Sequence, residues 1–295
     1  MENSIKQCKI LENTMRYLLY NPLSGKTNQS YESASLYSVA VDMPTKLVDV
    51  TEIHNMRDFF ESLEKEDDVV VFGGDGSINK IANSLLDSSF ENDIYYYPCG
   101  TGNDFAKDIG KADSREPFPV NEYIKGLPTV TVNGKRSAFI NGVGFGIDGY
   151  CCEIGDKLKS ENKQPNYTSI AIKGLLFHFK PVNATVVVDG CEMHFKKVWI
   201  APTMFGRYYG GGMMPTPEQD RSASEKAVSL MVFHGSGKIK TLTIFPSIFE
   251  GKHVEKKKHV SVLQGKNITV TFDRPASLQI DGETVLGVNS YTVKV

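Results

Sequence analysis

The chain lacks an excess of charge of either sign, because 33 Lys and Arg residues nearly balance 35 Asp and Glu residues, for a net charge of −2 at pH 7. Nucleic-acid binders usually carry a clear basic excess, so the composition predicts no nucleic-acid partner. Cysteine is scarce as well, with five residues at irregular spacing among 295. An odd number without a repeating pattern argues against a disulfide framework and favours a reducing compartment.

Long hydrophobic runs are also missing. No apolar stretch approaches the roughly 18 residues that a membrane-spanning helix needs. The N-terminal stretch MENSIKQCKILENTMRYLLY lacks the basic region and continuous apolar core of a signal peptide. We therefore expect a cytoplasmic protein, and peripheral contact with a membrane surface stays open. The 40% hydrophobic and 23% charged content is typical of a globular protein.

The order of the predicted elements indicates two domains. Strands (MRYLLYNP, KLVDVTE, DDVVVFGG and IYYYPCG) alternate with helical segments such as HNMRDFFESLEKE, which predicts a doubly wound, parallel α/β sheet. After Thr129, short alternating segments with turn signals such as VNG predict an antiparallel β-sandwich, and TSIAIKGLLFHF is the clear helical exception. We place the α/β domain at 1–128 and the mainly β domain at 129–295.

The first candidate site is the turn in VVVFGGDGSINKIANSLL, residues 69–86. The apolar residues after the turn follow helical spacing, and Ser77 stands where an N-cap would. The glycines allow a close backbone approach, so the turn is either a structural junction or a phosphate site at a helix N-terminus. Asn79 stands in place of the third glycine of a dinucleotide fingerprint. Asp75 would repel bare phosphate, which favours a nucleotide with Mg²⁺.

A similar loop, CGTGNDFAKDIG, follows the next predicted strand. Gly100 and Gly102 free the backbone, and Asn103 or Asp104 can cap the following helix. NPLSGK, residues 21–26, leaves the first strand. Loops that follow the carboxyl ends of neighbouring parallel strands converge on one crevice, where open α/β sheets bind ligands.

In this order and spacing, GGDGS, GTGND and NPLSG resemble the diacylglycerol kinase catalytic-domain family, which includes sphingosine kinases and bacterial lipid kinases and is related to NAD kinase. The resemblance implies an α/β domain, a β-sandwich domain and an active site in the cleft between them. The second loop of NAD kinase, GxNxGxLGFL, is absent. The resemblance further implies Mg²⁺ near Asp75 and Asp104, and ATP near Asn21, Pro22, Ser24, Gly25, Thr51, Gly73, Gly74, Asp75, Gly76, Ser77, Asn79, Gly100, Thr101, Gly102 and Asn103.

SLQIDGETV, residues 277–285, is the candidate for the catalytic base. Phosphoryl transfer needs an aligned acceptor hydroxyl whose proton is accepted during attack. The family carries a similar DGE in its second domain, which Asp281 and Glu283 match, and either could be the base. Asp-Gly is also a strong hairpin signal, and VVVDG at 186–190 is predicted to be such a hairpin.

Other segments leave alternatives open. FINGVGFGIDGYCCE, residues 139–153, resembles a family segment that lines the cleft, although its glycines could equally serve strand packing; Asp148 is a weak ligand candidate. Some family members hold a structural Mg²⁺ on an acidic turn after a segment like RYYGGGMMPTP, but this chain has Ser224–Lys226 there, so we expect no second metal site. The run Lys256–Lys258 is either a solvated edge or a contact for anionic headgroups.

These features together predict an ATP-dependent lipid kinase that transfers the γ-phosphoryl group to a lipid hydroxyl, with a diacylglycerol-like acceptor. Two alternatives remain. The acceptor could instead be phosphatidylglycerol, a sphingoid base or a soluble alcohol, or the chain could be a nucleotide-binding regulator that has lost catalysis.

Overall fold

The computed structural model describes residues 14–22 and 28–295. The chain divides into two compact units, Met1–Gly126 and Leu127–Val295. Each unit has its own sheet and its own buried core, so the two are described in turn.

The first unit is built on a mostly parallel sheet with the strand order β2-β1-β3-β4-β5. Strands β1 to β4 run parallel, and the two-residue β5 pairs antiparallel with β4. The predicted α/β domain with parallel strands is thereby confirmed, and the short antiparallel β5, which was not predicted, makes the sheet mixed. The elements are β1 Arg16–Tyr20, α1 Gln29–Ala40, β2 Thr45–Asp49, α2 Met56–Glu61, β3 Asp68–Gly73, α3 Asp75–Ser84, β4 Asp93–Pro98, α4 Asp104–Asp108, β5 Phe118–Pro119 and α5 Asn121–Ile124.

Buried β-branched residues place β3 in the middle of this sheet. Val69, Val70 and Val71 are almost completely buried, as expected for a strand covered on both faces. Helix α2 is shorter than the segment HNMRDFFESLEKE suggests, and only Met56 and Phe60 are buried on it. Helix α1 was not predicted from the sequence, and its residues show no strong segregation of apolar and polar faces.

The second unit, all of whose residues are described, contains a large antiparallel sheet with the order β13-β12-β11-β8-β14-β15-β6-β7 and with β9 joining β10 to β14. The antiparallel character expected after Thr129 is confirmed. The strands are β6 Thr129–Val132, β7 Lys135–Ala138, β8 Gly142–Phe145, β9 Val182–Val188, β10 Cys191–Val198, β11 Thr203–Met204, β12 Val228–Phe233, β13 Val260–Gly265, β14 Asn267–Ile280 and β15 Glu283–Lys294.

Helices interrupt this sheet at two places. The segment TSIAIKGLLFHF is helical, as predicted, and forms α7 (Tyr167–Lys173) followed by a π-helical turn, Gly174–His178. The longer helix α6 (Ile147–Ser160) was not predicted, because strand-like residues precede it directly. A short helix α8 (Lys238–Ile244) leads into two 3₁₀ turns, Phe245–Glu250 and Lys252–Glu255.

Close packing explains where α6 lies. A Cβ atom on Gly149 would stand 1.9 Å from the carbonyl oxygen of Ser277, so the helix rests directly on β14 at this point. The core beneath the helices includes Ile147, Leu175, Trp199 and Phe233. Within the described ranges, no helix is both long enough and apolar enough to cross a membrane.

Candidate functional site

The predicted nucleotide residues follow the carboxyl ends of the four parallel strands. Tyr20 at the end of β1 is in register with Asp49 of β2 and Phe72 of β3, and Gly73 is in register with Pro98 of β4. The strands therefore end at one edge of the sheet, where open α/β sheets bind ligands. The segments that follow these ends contain Asn21, Pro22, Thr51, Gly74–Ser77 and Gly100–Asn103, whereas Ser24 and Gly25 lie outside the described residues.

The glycine turns after β3 and β4 touch through their main chains. A Cβ atom built on Gly100 would stand 2.5 Å from the Cα atom of Gly74 and 3.1 Å from its nitrogen. A Cβ atom on Gly74 would in turn stand 3.1 Å from the Cα atom of Gly100. Neither turn can therefore accept a side chain at this point without moving its backbone. Gly76 differs, because a Cβ atom there would meet nothing within 4 Å.

Besides the contact between Gly74 and Gly100, the carboxylate of Asp75 also connects the two turns. Its Oδ2 atom accepts a hydrogen bond from the backbone N–H of Asp104 at 2.9 Å, and its Oδ1 atom accepts one from Phe105 at 2.8 Å. These are the first two N–H groups of α4, which have no partner within that helix. The negative charge of Asp75 is thus compensated in part by the N-terminus of α4.

Of the predicted N-cap positions, that of α3 is wrong and that of α4 is confirmed. Helix α3 begins at Asp75 with Gly74 as its N-cap, so the assignment of Ser77 as N-cap is wrong. The backbone N–H of Ser77 instead donates to the Gly74 carbonyl at 3.0 Å. Asn103 is the N-cap residue of α4, one of the two positions predicted, but its side chain makes no capping hydrogen bond to that helix. It closes its own turn through two 3.0 Å hydrogen bonds, accepting from the N–H and donating to the carbonyl of Gly100.

Four further predicted residues lie in the segments that follow β2, β3 and β4. Thr51 is exposed and stands two residues beyond the end of β2, where its N–H and hydroxyl both donate to Asp49 Oδ1, at 2.8 and 2.7 Å. Asn79 is one turn into α3, and its side-chain oxygen accepts a hydrogen bond from the Asn83 amide. Thr101 and Gly102 are exposed at the tip of the second turn.

In the second unit, Asp281 and Gly282 form a two-residue hairpin between β14 and β15, and both have left-handed φ angles, 45° and 92°. The Asp281 carboxylate leaves this hairpin and accepts three backbone hydrogen bonds. Its Oδ2 atom accepts from Ile140 at 2.5 Å, and its Oδ1 atom accepts from Asn141 and Gly142, both at 2.9 Å. The orientation of the carboxylate is therefore fixed by the main chain.

The Asp-Gly pair of VVVDG forms a hairpin as predicted, and Asp189 there is a close structural match. Its φ angle is 48°, and its carboxylate accepts backbone hydrogen bonds from Lys266 and Asn267. These hydrogen bonds, that from Asn267 foremost, lower the pKa of Asp189. A carboxylate bound by main-chain N–H groups is therefore a structural device that this fold uses at both Asp-Gly hairpins.

Gln279 connects the Asp281 hairpin to helix α6. Its Oε1 atom accepts a hydrogen bond from the Gly282 N–H at 2.6 Å, and its Nε2 group donates to Asp148 Oδ2 at 2.9 Å. Gln279 is paired with Gly144 across β14 and β8, and a Cβ atom on Gly144 would collide with the Asp148 carboxylate. Sequence reasoning missed Gln279, which lies in β14 two positions before Asp281 and belongs to no motif of its own.

A buried cation supports the segment that binds Asp281. Arg221 is 6% exposed, and its guanidinium group donates to the Ile140 carbonyl at 3.2 Å and to the side-chain oxygen of Asn141 at 3.1 Å. The same segment therefore binds both side chains. Its backbone N–H groups donate to Asp281, and the Ile140 carbonyl and the Asn141 side chain accept from Arg221. Nothing in the local sequence marks Arg221 as part of this arrangement. Glu283, by contrast, is exposed at the start of β15.

Two family models match this chain. Residues 16–129 match the diacylglycerol kinase catalytic domain, and residues 141–295 match the YegS C-terminal NAD kinase beta sandwich-like domain. The chain belongs to the diacylglycerol kinase family. The resemblance carried by GGDGS, GTGND and NPLSG is thereby confirmed.

Curated relatives of this lipid kinase family span most of the chain. A diacylglycerol kinase of Mycobacterium tuberculosis is 26% identical over 267 residues, covering 85% of this chain and 83% of the relative. A diacylglycerol kinase of Bacillus subtilis is 24% identical and covers 90% and 88%. A solved structure of a diacylglycerol kinase from Bacillus anthracis shares the fold, with a TM-score of 0.58 and 15% identity over 96% of this chain and 94% of that one.

The donor set of this diacylglycerol kinase family member suits a Mg²⁺ ion that accompanies a nucleotide. Asp75 and Asp104 lie at adjoining turns, and nucleotide-bound Mg²⁺ takes one or two carboxylates together with phosphate oxygens and water. Across the described part of the chain, no group of three or more His, Cys, Asp or Glu side chains is arranged to hold a metal ion. The described residues therefore provide no metal site made of protein ligands alone. A Mg²⁺ site completed by phosphate oxygens does not require one.

The buried carboxyl group of Asp148 is expected to make the folding stability of this family member depend on pH. The residue is buried, and burial raises the pKa of its carboxyl from 3.8 to about 6, although Gln279 and the Tyr209 hydroxyl both lower it. The folded state therefore binds this proton more tightly than the unfolded state does. The resulting stability is fully present below the unfolded pKa and is lost as the pH rises through about 6.

We expect Asp148→Asn to remove this dependence, because asparagine keeps an oxygen for Gln279 and cannot ionise. The free energy of unfolding of the variant, relative to the original protein, should rise by about 2 kcal/mol from about pH 4 to about pH 7. Urea unfolding at several pH values measures this difference. Two parallel stability curves would show that Asp148 does not titrate in this range.

Proposed function

We propose that this chain is an ATP-dependent lipid kinase that transfers the γ-phosphoryl group of ATP to a hydroxyl of a diacylglycerol-like lipid. Membership of the family and the diacylglycerol kinase relatives, at 24% and 26% identity, support the reaction class. The choice of acceptor within that class is the finer part of the proposal.

The observation that carries the proposal is the pair of glycine turns linked by Asp75. Gly74 and Gly100 meet backbone to backbone, which holds the two turns close together. Gly76 and Gly102 remain exposed in these two turns. Exposed main chain without side chains is what a polyphosphate needs for a close approach.

In the proposed donor site, the turns contact the ATP phosphates and the flanking segments contact the rest of the nucleotide. We assign to it Asn21, Pro22, Ser24, Gly25, Thr51, Gly73, Gly74, Asp75, Gly76, Ser77, Asn79, Gly100, Thr101, Gly102 and Asn103. When bound near Asp75 and Asp104, Mg²⁺ would supply positive charge that neutralises the phosphates. Asp75 itself orients the second turn through α4, which keeps both turns in one arrangement.

For the acceptor, we propose that Asp281 is the base and that Glu283 assists it. Transfer of a phosphoryl group depends more on the position of the reacting groups than on strong covalent catalysis. The three main-chain hydrogen bonds fix the orientation of Asp281, and Gln279 supports its hairpin. Glu283 is exposed and carries no such network among the described residues, so its carboxylate is less well positioned.

The proposal is tested with labelled ATP, Mg²⁺ and a panel of acceptors presented in the same mixed micelles. The panel contains diacylglycerol, phosphatidylglycerol, sphingosine and glycerol. We expect label to appear in diacylglycerol, with a kcat/KM higher than for the other acceptors. Nucleotide binding is measured in parallel by calorimetry.

Each result leads to a distinct conclusion. Transfer to phosphatidylglycerol, sphingosine or glycerol alone would keep the kinase and change the acceptor. ATP binding without transfer to any acceptor would favour a regulator that has lost catalysis. If ATP does not bind, the donor site itself is wrong.

A further inference from the structure

A row of buried polar groups in the second unit leads from helix α6 to the hairpin that carries Asp281. Asp148, in the first turn of α6, is 8% exposed, and Gln279 on β14 is 2% exposed. The Gln279 side chain donates to Asp148 at one end and accepts from the Gly282 N–H at the other. A buried side chain whose polar ends both have partners is held in one orientation.

The backbone of β8 makes room for this contact. Gly144 is paired with Gln279 across the sheet, and a Cβ atom on Gly144 would overlap the Asp148 carboxylate and stand 2.6 Å from Gln279 Nε2. Any larger residue at this position would therefore have to displace Asp148 or Gln279. The contact between these two side chains thus depends on the glycine that faces them.

The Gly282 N–H belongs to the central peptide of the hairpin turn. Asp281 and Gly282 both have left-handed φ angles, as a type I′ turn requires. The pair Ile280–Glu283 closes the turn, but the peptide between 281 and 282 could rotate to another turn type without breaking that pair. The hydrogen bond from Gly282 to Gln279 opposes this rotation. Gln279 therefore fixes the backbone from which the Asp281 carboxylate extends.

The orientation of the Gln279 amide depends on Asp148. An amide has a donor end and an acceptor end, and an ionised carboxylate can only accept. An ionised Asp148 therefore directs Nε2 of Gln279 toward α6, which leaves Oε1 for the Gly282 N–H. A protonated Asp148 carries a donor of its own, which competes with Gly282 for the single oxygen of Gln279. The charge of Asp148 thus affects the turn through Gln279.

Four titratable groups face Asp148, and all of them stay uncharged where it titrates. They are Tyr209, Tyr291 on β15, and Cys151 and Cys152 on α6. Burial raises the pKa of each of the four above its ordinary value. Burial also raises the pKa of Asp148, to about 6, so this carboxyl changes its charge near that pH while its neighbours do not.

We propose that Asp148 and Gln279 are positioning residues for Asp281, and that phosphoryl transfer requires Asp148 in its ionised form. The assignment rests on the proposed function, in which Asp281 is the base, and it adds regulation of the same site by protons. Transfer then increases with pH over the range in which ionisation of Asp148 destabilises the folded state. Activity and stability change in opposite directions, which a purely structural carboxyl would not produce.

The first test is the pH dependence of kcat with saturating ATP and acceptor. From pH 7 to pH 5, we expect kcat of the original protein to fall by about tenfold, in proportion to the ionised fraction of Asp148. Asp148→Asn keeps an oxygen for Gln279 and should abolish this fall. An equal fall in Asp148→Asn would overturn the requirement for an ionised Asp148.

Asp156→Asn is the matched control on the same helix. Asp156 also accepts a hydrogen bond from the hairpin strands, from Thr284 at 2.7 Å, but it is exposed. Its pH profile should match that of the original protein. Loss of the acid fall in this variant as well would make the effect a general property of α6 and would contradict the role of Asp148.

Exchanging donor and acceptor tests the contact itself. Gln279→Glu places two carboxyl groups together, and such a pair needs one shared proton, so transfer should now fall as the pH rises above 7. Adding Asp148→Asn lets the asparagine amide donate to the glutamate and should restore kcat at pH 7 to within about threefold of the original. Gln279→Met should lower kcat by about tenfold to 10²-fold and leave KM for ATP unchanged. A folded double variant, checked by urea unfolding, that does not recover would contradict the assignment.

NMR of the Gly282 amide gives a measurement that needs no transfer. Without nucleotide, its chemical shift should titrate with a midpoint near pH 6 in the original protein and should not do so in Asp148→Asn. A Gly282 signal that does not titrate would overturn the link between Asp148 and the turn, even if lipid is phosphorylated. A titrating signal without transfer to any acceptor would support that link and contradict the proposed function instead.

Discussion

Gly100→Ala is expected to destabilise the first unit and to abolish nucleotide binding. The new methyl group would stand 2.5 Å from the Cα atom of Gly74, a distance at which the backbone of one turn must move. Overpacking of this kind commonly costs about 1–3 kcal/mol, and here it acts on main chain that cannot rotate away. We expect a loss at the upper end of that range, measured by urea unfolding, and no detectable ATP binding by calorimetry.

Gly76→Ala is the matched control, because it adds the same methyl group to the first turn where nothing lies within 4 Å. Alanine also favours a helix over glycine by up to about 1 kcal/mol, so stability should be equal or slightly higher. If phosphates approach this exposed main chain, the dissociation constant for ATP should still rise by about tenfold, equivalent to about 1.4 kcal/mol. Unchanged stability of Gly100→Ala, or unchanged affinity of Gly76→Ala, would contradict the respective role.

Asp281→Asn is expected to lower the rate of phosphoryl transfer by at least about 10²-fold while ATP binding is retained. The substitution keeps the size of the side chain but places an amide group toward one of the backbone N–H groups that now donate to the carboxylate. Two donors facing each other should reduce the free energy of unfolding by about 1–3 kcal/mol. The measurements are kcat with saturating ATP and unfolding in urea.

Asp189→Asn separates the structural effect from the catalytic one, since Asp189 binds backbone N–H groups at an equivalent hairpin. We expect a smaller loss of stability there, because Asp189 is exposed, and a normal kcat. Glu283→Gln should lower kcat by less than about tenfold, in line with an assisting role. A greater loss in Glu283→Gln than in Asp281→Asn would reverse the assignment of the base.

The sequence predicted the strands of the first unit well, because β-branched runs such as Val69–Val71 and the glycines that follow them are local signals. It also predicted the type of the second sheet and the helix that includes Ile170. Helix α6 was missed because Gly142–Phe145 and Ile147–Ser160 adjoin with only Gly146 between them. The spacing of Ile147, Tyr150, Ile154 and Leu158 is nevertheless helical, with apolar residues three or four positions apart.

The pairings within the candidate site could not be predicted from local patterns. Ser77 has the right residue type for an N-cap, but α3 starts at Asp75, and the Asp75 carboxylate accepts from the N-terminus of α4. The partners of Asp281 and Arg221 lie 139 or more and 80 or more positions away in sequence, respectively. Such pairings depend on the register of the sheets, which no short motif specifies.

The close packing of Gly74 against Gly100 has a consequence for the exchange of segments between relatives. A chimera that receives only the first turn from a relative would have to reproduce this backbone approach and supply a carboxylate for the N–H groups of Asp104 and Phe105. A chimera that receives both turns together meets these conditions by itself. Residues 73–77 and 100–105 therefore form one transferable module, although most of helix α3 and the whole of strand β4 separate them in the chain.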